Sequence, residues 1–358
     1  MKEGALADTF QIAGRSIGLD HSPYIIAELS GNHNGDLDRA LALIDAAAAA
    51  GVDAVKLQTY TADTITLDCS RPEFVIQGTP WAGRTLYDLY QEASTPWDWH
   101  EALFARARAH GIQCFSSPFD HTAVDFLESF DVAAYKIASF EIVDTPLITK
   151  AAQTGKPLIM STGIANYGEI EDACHAARKG GADGFALLHC ISAYPAAPEE
   201  MRLGTITALA EAFGVPVGLS DHTLGSAVAV ASIACGARII EKHMTLSRAD
   251  GGPDAEFSLE PAEFKQLVED CRMAHAALGP AKYNRAGVGG ANAQFRRSLY
   301  VTSDVVAGTI LTHAHVRSIR PGNGLSPKHL DAIIGRPATR DLQRGEPLTW
   351  SMVGEERL

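Results

Sequence analysis

Short apolar runs recur along the first three-quarters of the chain, and each breaks into polar or ionisable residues at its C-terminal end. They read YIIAELS (24–30), AVKLQT (54–59), QCFSSP (113–118), AAYKIAS (133–139), PLIMST (157–162), FALLHC (185–190), PVGLSD (216–221) and RIIEKHM (238–244). Runs of this length and apolarity suit strands of a parallel sheet covered by helices. Between them lie alanine-rich stretches with helical periodicity, such as LDRALALIDAAAAAG and WHEALFARARAHG. Gly51, Gly111 and Gly155 fall where such helices should stop, and glycine readily adopts the left-handed conformation of a C-cap.

Eight β–α repeats predict an α/β fold, the (β/α)8 TIM barrel, because eight is the number of strands that closes. An open, doubly wound sheet is the alternative, but no GxGxxG turn follows the first run to favour it. In a barrel the site lies at the C-terminal ends of the strands. That gives the last run a purpose, since Glu241, Lys242 and His243 in a buried strand cost free energy unless something pairs or uses them. The other ends carry Glu28, Lys56, Gln58, Ser116, Ser117, Lys136 and Ser139. Further along come Ser161, Thr162, His189, Ser192, Ser220, Asp221 and His222. Together these ends predict a pocket.

The pattern changes after Leu278. Residues 1–278 are read as the barrel, and the Gly- and Ala-rich stretch 279–294 as a linker. Residues 295–358 read as short strands and turns, a segment of about 60 residues that can build only a small core.

Charge and cysteine usage narrow the function. A net charge of −13 argues against a nucleic-acid or anionic-membrane partner, although a few inward cations would still hold a phosphorylated substrate. The six cysteines show no CxxC and no regular spacing, which fits reduced core thiols. No segment approaches the ~20 continuous apolar residues of a membrane span, and the N-terminal residues lack the apolar stretch of a signal peptide. The expectation is a soluble, cytoplasmic protein.

Chemistry concentrates at the last two strands. His222 and His243 end neighbouring strands that a barrel sets ~4.8 Å apart, so their imidazoles can converge on one divalent ion. Two histidines with water or substrate oxygen at the remaining positions suit Mn²⁺ or Mg²⁺ better than a closed zinc site. Glu241 shares the face of His243, and closure brings Glu28 to the same place, as a general base or as the partner of a barrel lysine. Lys56 and Lys136, with Ser139, Ser161 and Ser220, are the donors an anionic ligand needs, while a Schiff base on one lysine stays open. The long insertion at about 60–95 has Trp81 within it and Trp97 and Trp99 at its exit; such loops are often lids.

These stretches resemble the sialic acid synthases. The resemblance rests on IIAELSGNHNG (25–35), VKLQTY (55–60), FSSPFD (115–120), YKIASFEI (135–142), MSTGIAN (160–166), LLHCISAYP (187–195), GLSDHT (218–223) and IIEKHMT, with RSIRPGNGLSP (317–327) in the tail. Within that family the chain looks most like the members that make pseudaminic acid, with the makers of N-acetylneuraminate or legionaminate as the alternative. The resemblance implies a barrel followed by an antifreeze-like (SAF) domain. It also implies metal-dependent condensation of phosphoenolpyruvate with 2,4-diacetamido-2,4,6-trideoxy-altrose, releasing phosphate. By the same resemblance His222 and His243 would hold the metal, Glu28 would place a water, and Glu241 would assist. Lys56, Ser117, Lys136, Ser139, Ser161, Ser192 and Ser220 would bind phosphoenolpyruvate. Gln58, Glu141, Tyr194 and Asp254 would contact the sugar, and Arg320 would reach the site of the other subunit in a domain-swapped homodimer. The apolar insertion, with Phe74, Trp81, Tyr87 and Tyr90, would face the sugar's methyl group. Two other classes remain: a metal-free Schiff-base aldolase, and a non-catalytic binding protein suggested by the antifreeze-like tail.

Overall fold

The eight apolar runs fold as eight parallel strands that close on themselves. A hairpin precedes them, β1 (Thr9–Ile12) and β2 (Arg15–Gly18), so the barrel strands are β3 to β10. They are β3 (Tyr24–Glu28), β4 (Ala54–Thr59), β5 (Gln113–Pro118), β6 (Tyr135–Ile137), β7 (Leu158–Ser161), β8 (Phe185–Cys190), β9 (Val217–Asp221) and β10 (Ile239–His243). Each pairs with the next, and β10 returns to β3 with His243 opposite Glu28. The expected barrel is the observed one, and the open sheet is excluded. The computed structural model describes residues 9–78, 81–280 and 290–355.

Local chemistry sets the helices between the strands. The helix Leu37–Ala50 starts where the Asp36 carboxylate accepts from the N–H groups of Asp38 and Arg39, and it ends at Gly51 with φ 84°. Leu43, Ile44 and Ala47 form its buried face against the barrel. Gly111 and Gly155, at φ 71° and 77°, sit just past the helices His100–Ala109 and Thr145–Ala152.

The hairpin is not announced by the run pattern. Its turn places Ala13 and Gly14 at φ 49° and 79°, the two positive values of a tight I′-type connection. Ile12 and Ile17 are buried beneath it, and Arg15 pairs with Asp53 and donates to the Pro23 carbonyl at 2.9 Å. Phe10 lies so close to Gly184 that a Cβ there would stand 2.7 Å from its own. Asp53, Pro23 and Gly184 all precede barrel strands, so the hairpin plugs the N-terminal end and leaves the opposite end for chemistry.

The chain divides into two compact units, Met1–Gly279 and Pro280–Leu358. The second is built on the antiparallel pair β11 (Ser298–Val301) and β12 (Val316–Ile319), around a small core that includes Leu299, Leu311, Val316, Leu342 and Leu348. Most of the stretch read as a linker lies outside the described residues. All six cysteines are free. Among the described residues no helix is long and apolar enough to cross a membrane.

Candidate active site

Register explains how four ionisable groups meet inside the barrel. Lys56 stands opposite Glu28, and inward-facing positions alternate along each strand, so Glu28, Lys56 and Gln58 share one face. Lys56 Nζ lies 3.0 Å from Glu28 Oε2 and 3.1 Å from Glu241 Oε1. Lys136 Nζ lies 3.5 Å from Glu241 Oε1 and donates to Ser161 Oγ at 2.7 Å. Ser220 donates to Glu241 at 3.0 Å, and Gln58 Nε2 donates to Glu28 at 2.9 Å. Glu28, Glu241, Lys56 and Lys136 are all buried.

Burial and pairing drive these groups apart in acidity. Burial pushes Glu28 up to about 6, against the pull of Lys56. Burial would also raise Glu241, but Lys136 and Lys56 overcome it and hold that carboxyl at about 2. Burial draws Lys136 down to about 8, partly opposed by Glu241. For Lys56, burial acts downward but Glu241 and Glu28 outweigh it, leaving its ammonium above the ordinary lysine value. The cluster therefore holds one firmly ionised carboxylate, one near its midpoint at mild acidity, and two cations.

His222 and His243 stand beside this cluster with ring centroids 5.3 Å apart. His222 Nδ1 lies 3.0 Å from the Ile191 carbonyl, which fixes a proton on Nδ1 and leaves the lone pair on Nε2. Burial lowers His222, but the Cys190 thiol and the Ile191 carbonyl outweigh that and raise it. Burial, with His222 and three lysines nearby, holds His243 well below the ordinary imidazole value, so it is neutral. Its Nδ1 lies 3.3 Å from Ser30 Oγ and 3.7 Å from Asp254 Oδ2. Among the described residues no group of three or more His, Cys, Asp or Glu side chains is arranged to hold a metal ion. An imidazole pair with one Nδ1 anchored to a carbonyl is still a donor set that fits a divalent ion completed by water or substrate.

Opposite the ions the cavity is apolar. Its volume is about 450 Å³, and the insertion contributes Ile65, Ile76, Trp81, Leu86, Leu89 and Tyr90 to its wall. Trp81 donates from Nε1 to the Pro253 carbonyl at 3.1 Å and packs 5.8 Å from the Tyr194 ring. Tyr194 in turn lies 4.4 Å from the His222 ring. Glu141, pushed up to about 7 by burial, lines the same cavity with Asp254. Glu141 Oε2 and Glu241 Oε2 are buried without a hydrogen-bond partner, as acceptors awaiting a water or a ligand hydroxyl would be.

The cavity gathers most of the expected residues. Glu28, Lys56, Gln58, Lys136, Ser139, Glu141 and Ser161 line it. So do Ser192, Tyr194, Ser220, His222, Glu241, His243 and Asp254. Ser117 does not: it is buried in β5 with its Oγ unpartnered, off the cavity wall. Arg320, expected to act in a second copy, is exposed just past β12 in the second unit. Phe74 and Tyr87 also lie off the wall, and Tyr87 instead donates to Asp63 at 3.2 Å. Trp97 stacks on Phe126 at 4.5 Å and Trp99 meets the edge of His33, so both serve packing. The wall residues Leu86 and Leu89 are not read from the sequence as pocket residues; their spacing of three on a short helix is the signal that points to them.

A closed (β/α)8 barrel whose strand ends collect two lysines, two carboxylates and an imidazole pair around one cavity has the layout of a barrel enzyme that acts on a small molecule. Residues 43–283 match the NeuB family and residues 296–354 match the SAF domain, and the chain belongs to the NeuB family. It is 44% identical over 329 residues to a pseudaminic acid synthase of Campylobacter jejuni, covering 92% of this chain and 96% of the relative. It is 36% identical over 326 residues to an N,N'-diacetyllegionaminic acid synthase from the same strain, covering 90% and 97%. Among solved structures, an N-acetylneuraminic acid synthetase of Leptospira borgpetersenii superposes with a TM-score of 0.72 at 31% identity, covering 81% of this chain and 96% of that one.

Proposed function

We propose that the protein is a pseudaminic acid synthase, which joins phosphoenolpyruvate to 2,4-diacetamido-2,4,6-trideoxy-altrose and releases phosphate. The observation that carries this reading is the buried Lys56–Lys136 pair facing an apolar wall in one cavity. The lysines suit a ligand with a phosphate and a carboxylate, and the wall suits a sugar with a methyl group. Identity of 44% to a pseudaminic acid synthase, against 36% to a legionaminic acid synthase, supports the choice of sugar. The second reading is the same chemistry on the legionaminate or neuraminate precursor, supported by the relatives that bear those names.

The chain's own side chains divide the work. Lys56 and Lys136, with Ser139, Ser161, Ser192 and Ser220, hold the phosphate and carboxylate. Gln58, Glu141, Tyr194 and Asp254 orient the sugar, and Glu141 keeps a proton near neutrality that it can give to the aldehyde oxygen. His222 and His243 would hold a divalent ion, Mn²⁺ or Mg²⁺, which when bound polarises the aldehyde. C3 of phosphoenolpyruvate then bonds to the aldehyde carbon. Water adds at C2 and passes a proton to Glu28, which Gln58 and Lys56 hold in place. The C2–O bond to phosphorus breaks, phosphate leaves with the hydroxyl proton, and C2 becomes the ketone. Glu241 remains ionised throughout and keeps both lysines aimed at the ligand.

On this reading the protein works in the cytoplasm, which its free cysteines suit, as a domain-swapped homodimer in which Arg320 reaches the sugar of a second copy. The exposed position of Arg320 is what such a role requires. The mechanism is tested with phosphoenolpyruvate labelled with ¹⁸O in the C2–O–P bridge. Cleavage at carbon leaves the label in the phosphate; its loss from the phosphate would contradict the scheme.

A further inference from the structure

Lys242 is the one ionisable residue of β10 that the site does not explain. Glu241 and His243 face the cavity, so Lys242 faces the other way, into the layer between barrel and helices. Its side chain is 0% exposed, and so is that of Asp221, its register partner on β9. Lys242 Nζ donates to Asp221 Oδ2 at 2.7 Å and to the Thr223 carbonyl at 2.6 Å. The other Asp221 oxygen accepts from the Thr223 N–H at 2.9 Å and its hydroxyl at 2.8 Å. None of the three residues lines the cavity.

This cluster brackets both imidazoles. Asp221 and Thr223 are the residues on either side of His222, and Lys242 immediately precedes His243. One carboxylate thus ties together the backbone before and after one histidine and the strand that carries the other. A buried ion pair adds little net stability compared with well-packed apolar side chains of the same shape. Its expense is better matched by geometry than by stability.

We propose that Asp221, Lys242 and Thr223 form a positioning device that sets the spacing of His222 and His243 for a shared divalent ion. The device rests on the reading of those two histidines as metal ligands, and it acts on them through the backbone alone. Groups behind a metal site typically change its affinity roughly 10–100-fold when removed.

The test is titration of Mn²⁺ alone into the full-length protein, with free ion read by electron paramagnetic resonance and folding followed by thermal melting. Lys242→Met and the double variant Asp221→Leu with Lys242→Met are compared with the parent; the double variant strands no buried charge. The device predicts near-parental melting and roughly tenfold weaker Mn²⁺ binding in the double variant. Parental affinity in a folded variant overturns the device and leaves the ligand assignment standing. Absence of Mn²⁺ binding by the parent overturns the ligand assignment, and the device falls with it. If the charge-removing variants do not fold, Thr223→Val decides, because it removes only one bond to Asp221. Weaker Mn²⁺ binding then supports the device, and parental binding overturns it.

Discussion

His243 stands opposite Glu28 across the seam where the last barrel strand meets the first. The same seam sets Glu241 beside Lys56, and Lys56 in turn pairs with Glu28. Closure of the barrel therefore builds the charged half of the cavity, and the predictions below follow from its parts.

Glu28 carries the proton transfer in the proposed reaction. Glu28→Gln keeps the side-chain shape and leaves Lys56 its contact with Glu241, so the melting temperature should change little. The kcat for phosphate release should fall ~10²–10⁴-fold, the usual worth of a general base. Parental kcat in this variant would remove Glu28 from the mechanism.

The pH dependence follows from three shifted groups, one that must be ionised and two that must be protonated. Glu28, raised to about 6 by burial, must be ionised to take a proton, so activity climbs as pH rises through that value. Lys136, lowered to about 8 by burial, must be protonated to hold an anion, so activity falls above it. A plot of kcat/KM against pH should be bell-shaped between these limbs. Glu141, raised to about 7 by burial, must be protonated to give its proton to the aldehyde oxygen, so it adds to the alkaline limb. Lys136→Arg, which stays charged, should leave only the part that Glu141 sets.

Lys56 is the only described cation shown pairing with both Glu28 and Glu241. Lys56→Met leaves two buried carboxylates short of their partner, and removing one member of a buried pair typically costs ~3–5 kcal/mol. Urea unfolding should show a loss of that order. Adding Glu241→Gln to Lys56→Met should recover part of it, since it removes one stranded charge.

Leu89 is a buried part of the cavity's apolar wall. Fit to a methyl-sized group is worth ~1–3 kcal/mol. Leu89→Ala should therefore reduce kcat/KM for the trideoxy acceptor ~10-fold and for N-acetylmannosamine much less. Equal losses on both sugars would mean that Leu89 packs the wall without reading the substrate.

The barrel was legible because each strand is an unbroken apolar run and its helices have clear stops, as at Gly51. The cavity was legible because ionisable residues have no other reason to end such strands. What stayed hidden depends on relations that a run pattern does not carry. The hairpin has four-residue strands whose only mark is the Ala13–Gly14 turn. The apolar wall comes from an insertion whose Trp81 and Tyr90 turn inward while Tyr87, between them, faces Asp63. Ser117 lies on a correctly read strand but off the cavity wall. Lys242 has no site role in the sequence pattern, and its pairing with Asp221 follows only from the register of β10 on β9.

The central claim is tested most directly by supplying phosphoenolpyruvate and Mn²⁺ with one acceptor at a time and measuring phosphate release. The acceptors are the trideoxy-altrose, N-acetylmannosamine and the legionaminate precursor. Release with the trideoxy-altrose far above the other two is the predicted result. Preference for another sugar would keep the chemistry and overturn the substrate, and no release with any of the three would contradict the account.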